Sequence, residues 1–214
     1  MTIDIADVFS NIQLSLRHAV KQHFDNINLD QFGTTLLIAI ETKQSFKIGY
    51  LGNGSIFHIK GNFENCLSES RPTPTCAVNL LNPHSIQKDG KETLTGYLSP
   101  ILFYEPSIIE LYKDKVNGDI LILTTDGLGS NDQIQLGKDG SGIWWSRTEM
   151  WLPELLKKIK CALQNDSKPG TLKSFLNEMK INKKLDDDTT IGLMITNKAL
   201  SILKSQNGKD HVKS

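Results

Sequence analysis

A chain of 214 residues has room for one large domain or two small ones, and it can bury a sizeable core, about 70% of its unfolded surface. Its 24 Lys and Arg balance 24 Asp and Glu, so no whole-protein basic field is available for nucleic acid or an anionic membrane. An apolar content of 38% is too high for a disordered chain. The longest apolar stretches, such as Leu36 to Ile40 and Ile120 to Leu123, fall far short of the roughly 18 residues of a membrane span. Asp4 and Asp7 near the N-terminus argue against a secretory signal. Cys66, Cys76 and Cys161 are odd in number and widely spaced, which disfavours a disulfide framework or zinc ribbon. Reduced, buried thiols in a cytoplasm are the expectation.

Residues 3 to 24 read as an amphipathic helix, with Ile5, Val8, Ile12, Leu16, Ala19, Val20 and Phe24 at three- and four-residue steps. After Gly33 the period changes. Runs at 34–42, 46–51 and 55–60 are rich in β-branched and aliphatic residues and read as a β-meander. Gly52-Asn53-Gly54 lies between the last two, and Asn-Gly there predicts a hairpin with positive φ at both turn positions. Residues 61–98 are polar and carry Pro72, Pro74, Pro83 and Gly90, so they read as loops and a short strand. Candidate strands follow at 101–104, 107–111 and 120–125, the last entered through the turn signal Asn117-Gly118-Asp119. Pro153 suits a first helical turn, and Leu152, Leu155, Leu156, Ile159, Ala162 and Leu163 make one apolar face. A second helix after Pro169-Gly170 presents Leu172, Phe175, Leu176 and Met179, and 189–196 reads as a final strand. From Asn197 the chain reads as a polar, frayed tail. Strands followed by helices and one more strand predict an α+β or layered sandwich rather than alternating βαβ units.

Two acidic sites carry the candidate chemistry. In Thr124-Thr125-Asp126-Gly127-Leu128 an apolar strand ends in a carboxylate, and Gly127 allows an immediate turn. Asp186-Asp187-Asp188-Thr189-Thr190 opens the last strand. Carboxylates at strand ends are rigidly aimed, as hard divalent cations require. Each has a plainer reading: Asp-Gly after a strand is ordinarily a turn, and three Asp in a row ordinarily form a solvated loop. Adjacent carboxylates also repel, so a nearby cation relieves a real cost.

The order of the segments adds weight. Gly33-Thr34-Thr35 leads a strand, Leu51-Gly52-Asn53-Gly54-Ser55 follows, and Leu94-Thr95-Gly96-Tyr97-Leu98 comes next. Gly118 to Leu128, two helices and Asp187-Asp188-Thr189-Thr190 complete the series. Over residues 33–196 this series resembles the protein phosphatase 2C-like (PPM-type) metal-dependent serine/threonine phosphatases. The resemblance implies an α+β fold, a four-layer α-β-β-α sandwich of two antiparallel sheets flanked by helices. It implies one domain over residues 1–196, with a leading helix in 1–32 and a polar tail over 197–214. It also implies Mn²⁺ or Mg²⁺ as cofactor and a phosphoprotein substrate or regulated protein as partner, with neither nucleic acid nor membrane. Asp126 and Asp187 match the family's metal-binding carboxylates. Asp188, Thr190 and Asn53 fall on accessory positions.

The chain departs from the family in two ways. It has no Glu-Asp and no Gly-Gly dipeptide, so the family's early Glu-Asp and Asp-Gly-His-Gly-Gly motifs, the second of which bridges both metals, are absent from it. The domain therefore reads as N-terminally incomplete, with exposed strand edges open to pairing with another chain. Asn53 stands where the family carries Asp, and a neutral amide brings no charge to an accessory metal. Two readings follow: a phosphatase hydrolysing phosphoserine and phosphothreonine, or an inactive pseudophosphatase acting as a binding or regulatory module.

Overall fold

The computed structural model describes residues 4–23, 32–62, 77–88, 91–128, 135–138, 144–147, 151–164, 170–183, 185 and 188–205. In chain order the described elements are α1 (Ile5–His23), β1 (Leu36–Glu41), β2 (Ser45–Leu51), β3 (Ser55–Lys60), β4 (Ala77–Asn79), β5 (Ser85–Lys88), β6 (Lys91–Leu94) and β7 (Ser107–Tyr112). Then come β8 (Asp119–Thr124), β9 (Gln135–Lys138), β10 (Trp144–Arg147), α2 (Trp151–Gln164), α3 (Thr171–Ile181), β11 (Ile191–Ile195) and α4 (Asn197–Ser205). This is an α+β fold of antiparallel sheets with helices packed on them. Two compact units result, Met1–Gly54 with Leu81–Lys113, and Ser55–Leu80 with Asp114–Ser214.

The first unit is built on the sheet β1-β2-β7. Strand β2 alternates as a strand with two distinct faces must: Phe46, Ile48 and Tyr50 point one way, Gly49 and Leu51 the other. Helix α1 covers the second face. Its Asp4 side chain accepts a hydrogen bond from the Ala6 amide (2.9 Å), which caps the first turn. Ile5 and Phe9 then pack with Leu51, Leu36, Ile38 and Ile40. Gly49 is what permits the approach, since a Cβ there would sit 2.4 Å from Ile5 Cγ2 and 2.7 Å from Phe9 Cε2. The predicted helix face omitted Phe9 and included Ala19, which is exposed.

Three expectations are overturned in this unit. First, β2 and β3 do not pair: β2 lies between β1 and β7, whereas β3 belongs to the other unit's sheet. Gly52-Asn53-Gly54 is a crossover between sheets, not a hairpin. The positive φ values are those of Gly52 (99°) and Gly54 (116°), and Asn53 has none. Second, residues 101–104 form no strand, because the Ser99 hydroxyl accepts from the amides of Ile101 (3.2 Å) and Leu102 (3.1 Å) and turns the chain. Gln13 Nε2 then donates to the carbonyls of Ser99 and Leu102 and holds that turn against α1. Third, the region read as loop supplies the β5-β6 ladder here and β4 in the second unit.

His84 ties several of these pieces together. Its amide donates to Gly52 O (3.0 Å), and its carbonyl accepts from Thr95 N (2.7 Å). Its ring stacks on Tyr50 with centroids 5.2 Å apart, and Nε2 lies 2.7 Å from Ser107 Oγ. Nδ1 is buried with no hydrogen-bond partner among the described residues. Burial accordingly pulls the imidazolium below the ordinary histidine range. A depressed pKa means that the folded imidazole binds a proton less readily than the unfolded one, so its contribution is present above the unfolded pKa and is lost as pH falls from there toward the folded value. Stability should therefore drop between about pH 7.5 and about pH 5.5, through the ordinary histidine range near 6.5. In His84→Gln that drop should shrink, as read from thermal melts at both pH values. An unchanged drop would place the titration elsewhere.

The second unit is built on the sheet β11-β8-β3-β4. Central β8 is buried on both faces, as its unbroken apolar run requires: Ile120, Leu121 and Ile122 have no exposed surface. Phe57, Ile59, Ile120 and Ile122 form one core with Trp151, Leu152, Leu155, Leu156 and Ile159 of α2, Phe175 and Met179 of α3, and Ala199 and Leu203 of α4. Phe57 meets Trp151 edge to face at 5.5 Å. The predicted polar tail is corrected over Asn197–Ser205, which is α4. Thr196 caps it through Oγ1 to Ala199 N, and fully buried Ala199 and Leu203 anchor it. Only four residues of that stretch are apolar, too few for the period to stand out. Cys161 is exposed on α2, against the expectation of a buried thiol. Cys66 and Cys76 lie outside the described residues.

Candidate functional site

Asp126 and the 188–190 segment lie at one end of the second unit's sheet. Strand β8 pairs with β11 in antiparallel register, Thr124 opposite Ile191, so the C-terminal end of β8 lies beside the N-terminal end of β11. Beyond Thr124 the chain tightens into a 3-10 turn, Asp126–Leu128. Gly127 and Leu128 are buried and root the turn, while Asp126 is exposed at its start. Thr125 supplies the clasp between the strands. Its amide donates to Thr190 O (3.2 Å), its hydroxyl donates to Asp188 O (3.2 Å), and the same hydroxyl accepts from Thr190 N (3.0 Å). The backbone at 188–190 is thereby fixed against the end of β8, and Asp188, like Asp126, is exposed there.

The predicted residues divide as follows. Asp126, Asp188 and Thr190 are brought to this strand end. Asp187 lies outside the described residues, together with Asp186. Asn53 is in the first unit, where its Oδ1 accepts from Thr35 Oγ1 at 2.9 Å. That bond joins the Gly33-Thr34-Thr35 and Gly52-Asn53-Gly54 segments. The Leu94 to Leu98 segment reaches the same place, because Thr34 and Leu98 exchange both backbone hydrogen bonds (3.0 and 2.9 Å). Among the described residues, no group of three or more His, Cys, Asp or Glu is gathered as a metal cluster.

The opposite end of β8 holds a polar cluster that sequence reasoning missed. Asp119 is fully buried, and its Oδ1 accepts from His58 Nε2 at 2.8 Å. Its Oδ2 accepts from Asp114 N at 2.8 Å. Lys60 Nζ lies 3.0 Å from Asp114 Oδ2. The Asn117 backbone and side chain, followed by Lys60 and the Val116 amide, hold the Asp114 carboxyl well below the usual carboxylate range. His58 and Asp119 are 61 positions apart, and no spacing rule links them.

No family model and no curated protein matches the chain. Solved structures do. The serine/threonine phosphatase Stp1 of Staphylococcus aureus superposes with a TM-score of 0.54 at 14% identity, over 92% of this chain and 70% of that one. A bacterial serine phosphatase gives 0.54 at 14% identity, over 89% and 68%. The catalytic domain of the serine/threonine phosphatase PstP, in complex with two manganese ions, gives 0.51 at 14% identity, over 92% and 74%. The chain has a PPM-type phosphatase fold. The likeness is one of fold. Within the PPM-type fold, the ordered segments collect in two places: 33–35, 52–54 and 94–98 in the first unit, and the ends of β8 and β11 in the second. Among the described residues, no helix is long and apolar enough to cross a membrane.

Proposed function

We propose that this chain is a protein phosphatase 2C-type domain acting on phosphoserine and phosphothreonine of a protein substrate at the joined ends of β8 and β11. The observation that carries the reading is the Thr125 clasp, which sets the exposed Asp126 beside the Asp188–Thr190 backbone on a sheet of phosphatase type. Carboxylate oxygens suit a hard divalent cation, Mn²⁺ or Mg²⁺, and Asp126 offers its own at the end of β8. Asp126 and Asp187 would hold it, with Asp188 and Thr190 accessory. When bound, such an ion supplies charge for a phosphoryl group and acidifies a bound water. The chain's own part is positional: buried Gly127 and Leu128 fix the root of the Asp126 turn, and the Thr125 hydroxyl fixes the facing backbone. Two carboxylates suit one weakly held ion.

A second reading, a non-catalytic binding or regulatory module, is favoured by Asn53. The position where the family carries Asp holds an amide whose oxygen is engaged by Thr35. Calorimetric titration with Mn²⁺ and turnover of a phosphoserine peptide test both readings. Asp126→Ala should weaken Mn²⁺ binding by more than the roughly tenfold typical of losing a mere supporting partner, and should abolish turnover. Turnover that survives the substitution would remove Asp126 from the site. Saturable Mn²⁺ binding without turnover at any Mn²⁺ concentration would decide for the second reading.

A further inference from the structure

The helices of the second unit carry a charge asymmetry that a net charge of zero conceals. Together α2, α3 and α4 contain seven lysines and two glutamates. Helix α2 touches both α3 and α4, so the three form one layer. Lys158 is paired with Glu178 at 2.8 Å, and in turn holds that carboxyl below its ordinary range. Lys157, Lys173, Lys180, Lys198 and Lys204 are exposed, and none is paired with a described carboxylate. Lys173 and Lys180 stand seven residues apart on α3 and share a stripe.

Unneutralised lysines gathered on one layer repel one another and attract a polyanion. The remaining surface chemistry selects among polyanions. Arg is absent from these helices, and both their aromatics, Trp151 and Phe175, are buried in the core, so among the described residues the three helices offer no platform for stacking bases. Among their described residues, Ile181, 79% exposed, is the one large apolar side chain that is fully exposed, too little to insert into a bilayer. We infer that the α2–α3–α4 layer is a docking surface for an acidic polypeptide segment of a partner protein. Lysine ammoniums on flexible stems suit such a segment, because they meet carboxylates or phosphates in varied geometry. The inference goes beyond the phosphatase reading and does not depend on turnover.

The experiment uses the whole chain and a fluorescein-labelled glutamate-rich peptide, with a glutamine-rich peptide of equal length as control. Fluorescence anisotropy should show binding of the acidic peptide alone, weakening about tenfold between roughly 50 mM and roughly 300 mM salt as screening lengths shorten. Reversing Lys157, Lys173, Lys180 and Lys198 together to Glu should reduce binding by a further tenfold or so, with circular dichroism unchanged. Asp126→Ala should leave it unchanged, which separates this surface from the strand-end site. Equal binding of both peptides, or binding that survives the charge reversal, would overturn the inference. So would tighter retention of duplex DNA or phosphatidylserine vesicles than of the peptide.

Discussion

Replacing Asp119 by Ala should lower the unfolding free energy by about 2 to 5 kcal/mol, because it removes the acceptor of two hydrogen bonds. The carboxylate has no solvent exposure, and it is the acceptor for His58 Nε2 and for the Asp114 amide. Its loss strands both donors, and each unsatisfied buried group costs about 1 to 3 kcal/mol. The damage spreads because the Asp119 backbone also anchors Thr196: its amide donates to Thr196 Oγ1 (2.8 Å) and its carbonyl accepts from Thr196 N (3.0 Å). Thr196 in turn caps α4. Asp119→Asn keeps one acceptor oxygen but turns an NH₂ toward a donor, so it should fall between wild type and Ala. Chemical denaturation of the three proteins measures the series. An Ala variant within about 0.5 kcal/mol of wild type, the range of an ordinary surface substitution, would show that the cluster is not an anchor.

Gly118→Val should cost about 3 kcal/mol for two separable reasons. Gly118 has φ of 69°, a left-handed conformation that costs an L-residue of order 1–2 kcal/mol. A Cβ there would also lie 2.2 Å from Ala199 N and 2.8 Å from Ala199 Cα. That obstacle is the backbone of α4, and overpacking against such a neighbour costs typically about 1–3 kcal/mol. Gly170→Ala is the control, because Gly170 also has positive φ (94°) but nothing within 4 Å of its Cβ position. It should lose only the conformational part. Equal losses in the two variants would mean that α4 does not press on Gly118. Faster amide exchange across Asn197–Ser205 in Gly118→Val alone would locate the damage in α4.

Both predictions concern contacts that the sequence hides. The apolar runs at 46–51, 55–60 and 120–125 appear as strands within a residue of their predicted bounds, and the helices expected around Pro153 and after Gly170 form as α2 and α3. Each carries its own period, and that period survives folding because it is a property of neighbouring residues. Partner choice is a different matter. Gly52-Asn53-Gly54 has the composition of a hairpin turn, and nothing local distinguishes a turn that folds back from one that crosses to another sheet. Likewise α4 is held by two buried side chains and a threonine cap, whose value lies in what they meet. Ile101–Tyr104 fails as a strand because one serine hydroxyl captures two amides.

The candidate site follows the same division. Asp126 was legible because a carboxylate at the end of an apolar strand, followed by glycine, is a local pattern, and the ordered segments pointed to the fold that the structure has. By itself the sequence determined α1, α2 and α3, the strands that carry strong apolar runs and the acidic positions, since these rest on short-range periodicity and residue chemistry. Only the tertiary structure decided that Thr125 clasps the 188–190 backbone, that Asn53 is engaged by Thr35, and that buried Asp119 holds His58. Each of those is a hydrogen bond between residues 18 to 65 positions apart, and its partner is chosen by which strands pair and which helix covers them.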